Sequence, residues 1–151
     1  MTYDIRVEQF PGQPLAVVRR QATKPQFATV IPAACGLVWN AIRAQNLKGG
    51  RHVAVYLDNV YNLEIGVELD KPFTGAGEVV PSALPTGEVA TTTHFGPYQN
   101  LGQAHDAIHQ WCKQNAREPI RPCWETYGHW LDEWNKDPSK IRTDVYYLLR
   151  S

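Results

Sequence analysis

The chain has 151 residues, with fifteen Lys and Arg balanced by fifteen Asp and Glu, a length that fits one domain able to bury a real core. That balance leaves no basic surface suited to nucleic-acid phosphates, so direct nucleic-acid binding is not expected. Five Trp and seven Tyr are many for this size and favour a pocket, an interface or a rigid core.

Cys35, Cys112 and Cys123 lie too far apart for a metal or redox motif and read as reduced, buried thiols. No apolar h-region opens the chain, and no apolar run approaches the ~20 residues of a bilayer span, so a cytoplasmic protein with no membrane partner is expected. There is no glycine-rich phosphate loop, and none of Ser82, Ser139 and Ser151 lies in a nucleophile elbow. No cofactor is therefore expected.

In chain order, Ile5 to Gln9 alternates as a short strand, Phe10-Pro11-Gly12-Gln13-Pro14 breaks it, and Leu15 to Gln21 resumes as a second strand. A helix follows, with Pro32 in its opening turn, Cys35, Val38, Trp39 and Ile42 at helical spacing, and Gly49-Gly50 as its stop. Val53 to Asp58 and Leu63 to Leu69 predict a strand pair with a turn at Asn59. Lys71 to Gly87, with three Pro and three Gly, reads as a linker that carries a strand at Val79-Val80. Glu88 to His94 predicts the next strand. Leu101, Ala104, His105, Ile108, Trp111 and Cys112 then form the apolar face of a helix from about Asn100 to Asn115. Pro122 to Tyr127 and Thr143 to Leu149 are the closing strands, joined by a polar connection with Trp130 and Trp134.

The pattern is used twice, in repeats of about 1–70 and 75–151 within a single domain. Sliding one over the other sets Trp39 to Ile42 over His105 to Ile108 and Tyr56 opposite Glu125. Two such units are expected to pack about a pseudo-twofold axis, with a ligand groove along it.

Glu125 is the residue that most needs a reason. Strand alternation puts it on one face with Cys123 and Tyr127, beside the ring of Trp124. A carboxylate among apolar groups requires a hydrogen-bond donor, a cationic ligand or a proton, unless the strand is an edge that reaches water. Tyr56 and Tyr127 either line a cleft or pack in the core. Trp39 and Trp111 favour packing on their helices, with ligand contact second, and Tyr98 after Gly96-Pro97 suits a cleft hydroxyl or a turn equally. His105 and His109 have the spacing of a metal pair, but no third ligand accompanies them and no metal is expected. His94 suits a strand end more than a catalytic base. Cys123 beside a carboxylate is a poor thiolate.

His94-Phe95-Gly96-Pro97-Tyr98, Trp124-Glu125-Thr126-Tyr127 and Thr143-Asp144-Val145-Tyr146, taken together and in order, resemble the gyrase-inhibitor-like small-molecule-binding family. That family includes the effector-binding domains of AraC- and MerR-type multidrug-sensing regulators. Val53 to Asn59 resembles the equivalent strand of bacterial DNA gyrase inhibitors, which implies DNA gyrase as a protein partner to test. The resemblance implies an α+β fold of duplicated βαββ units, the SOUL/BmrR-like arrangement of an antiparallel sheet, two main helices and a central cleft. It implies Glu125 as the cleft glutamate, with Tyr56, Tyr127, Trp39, Tyr98, Trp111 and Tyr146 around a lipophilic, cationic or aromatic ligand. In relatives that are hydrolases of strained, electrophilic metabolites, the same glutamate is implied as the catalytic group. One departure is Leu148, where the family commonly has proline, with an expected effect on the sheet edge or on the pairing near it.

Overall fold

A computed structural model describes residues 2–58 and 62–151, so the expected turn at Asn59 lies outside the described residues. The fold is α+β. Its elements are β1 (Arg6–Gln21), α1 (Phe27–Ala44), β2 (Gly49–Tyr56), β3 (Asn62–Leu69), β4 (Val79–Phe95), α2 (Gly102–Gln114), β5 (Pro119–Tyr127), α3 (Asp132–Lys136) and β6 (Arg142–Leu149). They form two compact units: Pro11–Thr86, and Gly87–Ser151 together with residues up to Phe10.

In the first unit β3 lies between β1 and β2, antiparallel to both. α1 covers this ladder with Ala34, Cys35, Val38 and Ile42, which join Ala16, Val18, Leu63, Ile65 and Val67 in one apolar core. Each large aliphatic side chain so buried contributes about 1.5–3 kcal/mol. Gly66 is where β3 runs tightest against β1, since a Cβ there would stand 1.8 Å from the Ala16 carbonyl oxygen. Buried Glu64 is held by Arg19 at 3.1 Å and by the Ser82 hydroxyl at 2.6 Å, which gives Ser82 a structural task.

The second unit repeats the plan. β6 lies between β4 and β5, antiparallel to both, and α2 buries Ala104, Ile108 and Cys112. Both main helices end alike. Asn46 (φ 56°) and Ala116 (φ 53°) adopt the left-handed conformation, and the next amide in each case donates to the carbonyl five residues back, Leu47 to Ile42 and Arg117 to Cys112.

Several expectations are corrected. Prolines do not split β1, because Gly12 at φ 84° supplies the local kink and the ladder resumes at Leu15. β4 likewise runs unbroken from Val79 through Pro85, so much of the expected linker is strand. Pro32 sits in the second turn of α1, which starts at Phe27, and removes one intrahelical hydrogen bond there. Gly49-Gly50 opens β2, and the helix stop is the cap at Asn46. The connection after β5 contains α3, with Trp134 buried beneath it. The stretch Lys24–Ala44 proves long and apolar enough to cross a membrane by composition, yet it packs one face on β3 as a core helix does. Leu148 is in a middle strand, opposite Val89 on one side and Ile120 on the other, and not at an edge of the ladder.

The shared architecture also corrects the internal alignment. The matching caps set Ala34, Val38 and Ile42 against Ala104, Ile108 and Cys112, so Trp39 answers to His109 and Cys35 to His105. The ladders end on the equivalent pairs Tyr56–Leu63 and Tyr127–Thr143. Tyr56 therefore answers to Tyr127, and Ala54 to Glu125.

Candidate functional site

β5 leaves its register irregularity after Ile120 and pairs Cys123, Glu125 and Tyr127 with Tyr147, Val145 and Thr143 of β6. Alternation carries these six side chains to the sheet face that α2 covers. Glu125 is 5% exposed there. Its Oε1 accepts from the Tyr127 hydroxyl at 2.5 Å, and its Oε2 stands 2.6 Å from His105 Nε2. An ionised carboxylate only accepts, so the imidazole donates through Nε2–H.

The other nitrogen of His105, Nδ1, lies 2.7 Å from the hydroxyl of Tyr147, the residue paired with Cys123 across the ladder. The Arg121 guanidinium donates to the Cys123 sulfur. Tyr127, Glu125, His105 and Tyr147 thus form one connected polar chain inside the second unit, with Cys123 beside its end. Burial pushes the Tyr147 hydroxyl and the Cys123 thiol up, the thiol to about 11, with Glu125 adding to both shifts. Cys123 is therefore a proton-bearing neighbour of the chain and not a thiolate nucleophile. His109 packs its ring on Tyr147 with centroids 4.7 Å apart, and burial first, then repulsion from His105, lowers its pKa.

The equivalent places of the first unit are filled differently. Where the second unit has Glu125, His105 and Tyr147, the first has Ala54, Cys35 and Val67, all buried and apolar. The same strand–helix–strand packing is thus achieved without a carboxylate, an imidazole or a phenol. The strand–helix–strand arrangement as such does not call for the polar set, and burying it costs desolvation that apolar residues avoid.

The remaining expected residues divide between the units. Tyr98 is exposed and meets Tyr127 edge to face at 5.6 Å, which places it at the rim of the Glu125 cluster. Tyr146 points to the opposite sheet face, where it stacks on Trp124 at 5.4 Å and meets Phe10. Trp111 is half-buried on α2. Tyr56 and Trp39 belong to the first unit, where Tyr56 packs on Phe27 and Trp39 donates to His52 at 2.5 Å beneath Arg43. His94 uses both ring nitrogens, Nε2–H to the Pro97 carbonyl and Nδ1 from the Tyr3 hydroxyl, so it ties the Gly96-Pro97 turn to the N-terminal segment. Among the described residues no three His, Cys, Asp or Glu side chains gather as a metal set.

Sequence reasoning missed His105 and Tyr147 as partners of Glu125. The available signal was a histidine on the apolar face of α2 together with a tyrosine on the core face of the closing strand.

Among solved structures, the EcmrR C-terminal domain superposes with a TM-score of 0.83 at 20% identity, covering 100% of this chain and 99% of that one. SAV2435 bound to tetraphenylphosphonium gives a TM-score of 0.67 at 11% identity, covering 100% and 95%. A hydrolase encoded by lin2189 from Listeria innocua gives 0.60 at 12% identity, covering 97% and 91%. At these identities the likeness is one of fold. No curated protein matches by sequence. The family model of the GyrI-like small molecule binding domain matches residues 3–150, nearly the whole chain, and the protein belongs to that family.

Proposed function

We propose that this protein binds a lipophilic, aryl-bearing organic cation, with the Glu125 carboxylate as counter-charge and the rings of Tyr127 and Tyr98 beside it. The observation that carries this reading is the contrast between the units: a buried acid with polar partners occupies places that the repeated fold fills with Ala54, Cys35 and Val67. A cation near a carboxylate and over an aromatic face gains from both, the ring contributing about 0.5–2 kcal/mol. The tetraphenylphosphonium bound to SAV2435 supplies the probe. Both oxygens of Glu125 already have protein donors, so a ligand takes the place of one of them.

Isothermal titration with tetraphenylphosphonium and rhodamine tests this. Wild type binds, and Glu125→Gln, which keeps the shape and loses the charge, binds at least about tenfold more weakly, the equivalent of ~1.4 kcal/mol. A neutral analogue, triphenylphosphine oxide, does not distinguish the two proteins. Equal binding of the cations by both proteins overturns the anchor role.

A second reading has its own observation. His105 bridges Glu125 and Tyr147, so a proton taken at the carboxylate has a connected path through ionisable groups. On this reading Glu125 takes a proton from water, the water oxygen bonds to an electrophilic carbon as the strained ring bond to that carbon breaks, the Tyr127 hydroxyl protonates the atom left with the electron pair (carbon in a cyclopropane, oxygen in an epoxide), and Glu125 passes its proton to the Tyr127 oxygen it contacts. Mass spectrometry of cyclopropane- and epoxide-bearing electrophiles incubated with the protein decides it. Turnover that disappears in Glu125→Gln supports hydrolysis, and its absence across the panel leaves binding alone.

A further inference from the structure

We infer that His105 sets the cation affinity of this site by acting as a built-in competitor for the Glu125 carboxylate. The inference rests on the reading that Glu125 receives an organic cation. Among the partners of the carboxylate, Tyr127 is a neutral donor, whereas His105, at 2.6 Å, is one that can itself be positive. A protonated imidazole neutralises Glu125 and leaves an arriving cation little to neutralise. A neutral imidazole donates the same hydrogen bond and leaves the negative charge in place.

The surroundings suit both states of the ring. Tyr147 Oη stands 2.7 Å from Nδ1, and Tyr147 is paired with Cys123 across the ladder. A hydroxyl donates to a bare Nδ1 or accepts from Nδ1–H, so no backbone movement is needed. The titratable and charged groups around the ring are Glu125, Cys123 and Arg121 from β5, Tyr147 from β6, and His109 and Asp106 from α2 itself. His109 lies one turn along α2 and repels a charged His105, so the two imidazoles resist carrying charge together. The first unit has Cys35 at the equivalent place, in its apolar core. The helix therefore packs without an imidazole, and a competitor is a choice of this unit.

The experiment is a tetraphenylphosphonium titration of the full chain across the interval in which histidines change charge, from about pH 5.5 to about pH 8. Wild type, His105→Gln, His109→Gln and Glu125→Gln are compared. Wild-type affinity is expected to fall by about tenfold per pH unit once His105 is protonated, because apparent affinity follows the competent fraction. His105→Gln keeps a donor for Glu125 without a charge. It is expected to bind at low pH as tightly as wild type does at high pH, and His109→Gln is expected to keep a pH-dependent affinity, with the transition moved to higher pH because the repulsion between the two imidazoles is gone.

An unchanged pH slope in His105→Gln overturns the inference, as does weaker binding by a folded His105→Gln at both ends of the range. If His105→Gln does not fold, His105→Cys, which copies the first unit, carries the same test. Cation binding that depends on Glu125 but not on pH sinks the competitor alone. Binding that is equal in wild type and Glu125→Gln, or absent from both, sinks the underlying reading as well.

Discussion

His105 on α2 and Glu125 on β5, twenty residues apart in the chain, meet through Nε2 and Oε2 at 2.6 Å beneath the helix. The contact exists because β6 lies between β4 and β5, which brings Tyr147 alongside Cys123 and beneath the same turn of helix. Its local energetics, and those of the scaffold that holds it, lead to four expected outcomes.

Tyr147→Phe removes the hydroxyl that bonds His105 Nδ1. A part-buried imidazole nitrogen loses its partner while the ring's packing remains. A loss of about 1–2 kcal/mol is expected, read as a lower urea midpoint with an unchanged slope.

Ala116→Gly is expected to stabilise the protein. Ala116 is exposed and held at φ 53° by the cap in which Arg117 donates to the Cys112 carbonyl. A Cβ in that conformation is strained, and glycine relieves it for a gain of about 0.5–1 kcal/mol after its greater freedom in the unfolded chain is counted. Asn46→Gly, at φ 56°, gains less, because asparagine tolerates the left-handed region. Urea melts of the two variants make the comparison.

Gly66→Ala is expected to cripple the first unit. Its new methyl group would lie 1.8 Å from the Ala16 carbonyl oxygen and 2.8 Å from Val17 Cα, both in the backbone of the paired strand. The ladder has to open to admit it, at a cost of about 3 kcal/mol or more. Circular dichroism during heating detects this as a markedly lower midpoint or as loss of folded protein.

Stability is expected to decline in alkali. Burial raises the Cys35 and Cys123 thiols from 9.0 to about 11 each. The folded chain thus holds these protons more tightly than the unfolded chain. The resulting stabilisation is complete below about pH 9 and disappears as pH rises through about 11, on the order of 2 kcal/mol per thiol. Urea melts between these values show a steep fall in wild type. Cys35→Ala has a lower starting stability and a shallower decline.

Much of the site's layout was legible in the residues. The alternation of Cys123-Trp124-Glu125-Thr126-Tyr127 correctly put the acid on one face with Cys123 and Tyr127, and the spacing of Leu101, Ala104, His105 and Ile108 put His105 on the packed side of its helix. What could not be seen was that these two faces meet. The position of Glu125 along its strand depends on the irregularity between Ile120 and Cys123, and its apposition to Tyr147 and α2 depends on strand order. The repeat was likewise visible as a pattern but misaligned. An Ala-Ile coincidence drew Trp39 over His105, whereas the caps at Asn46 and Ala116 pair Trp39 with His109.

The sequence by itself determined the two main helices, the strands that flank them, the doubled strand–helix–strand–strand plan and the family, because periodicity and ordered motifs are properties of neighbouring residues. Only the tertiary structure decided that Glu125 is held by His105 and Tyr127, and that Ala54, Cys35 and Val67 take the corresponding places in the other unit. Such contacts are set by register and by which strand lies in the middle, and those follow from packing the whole chain at once.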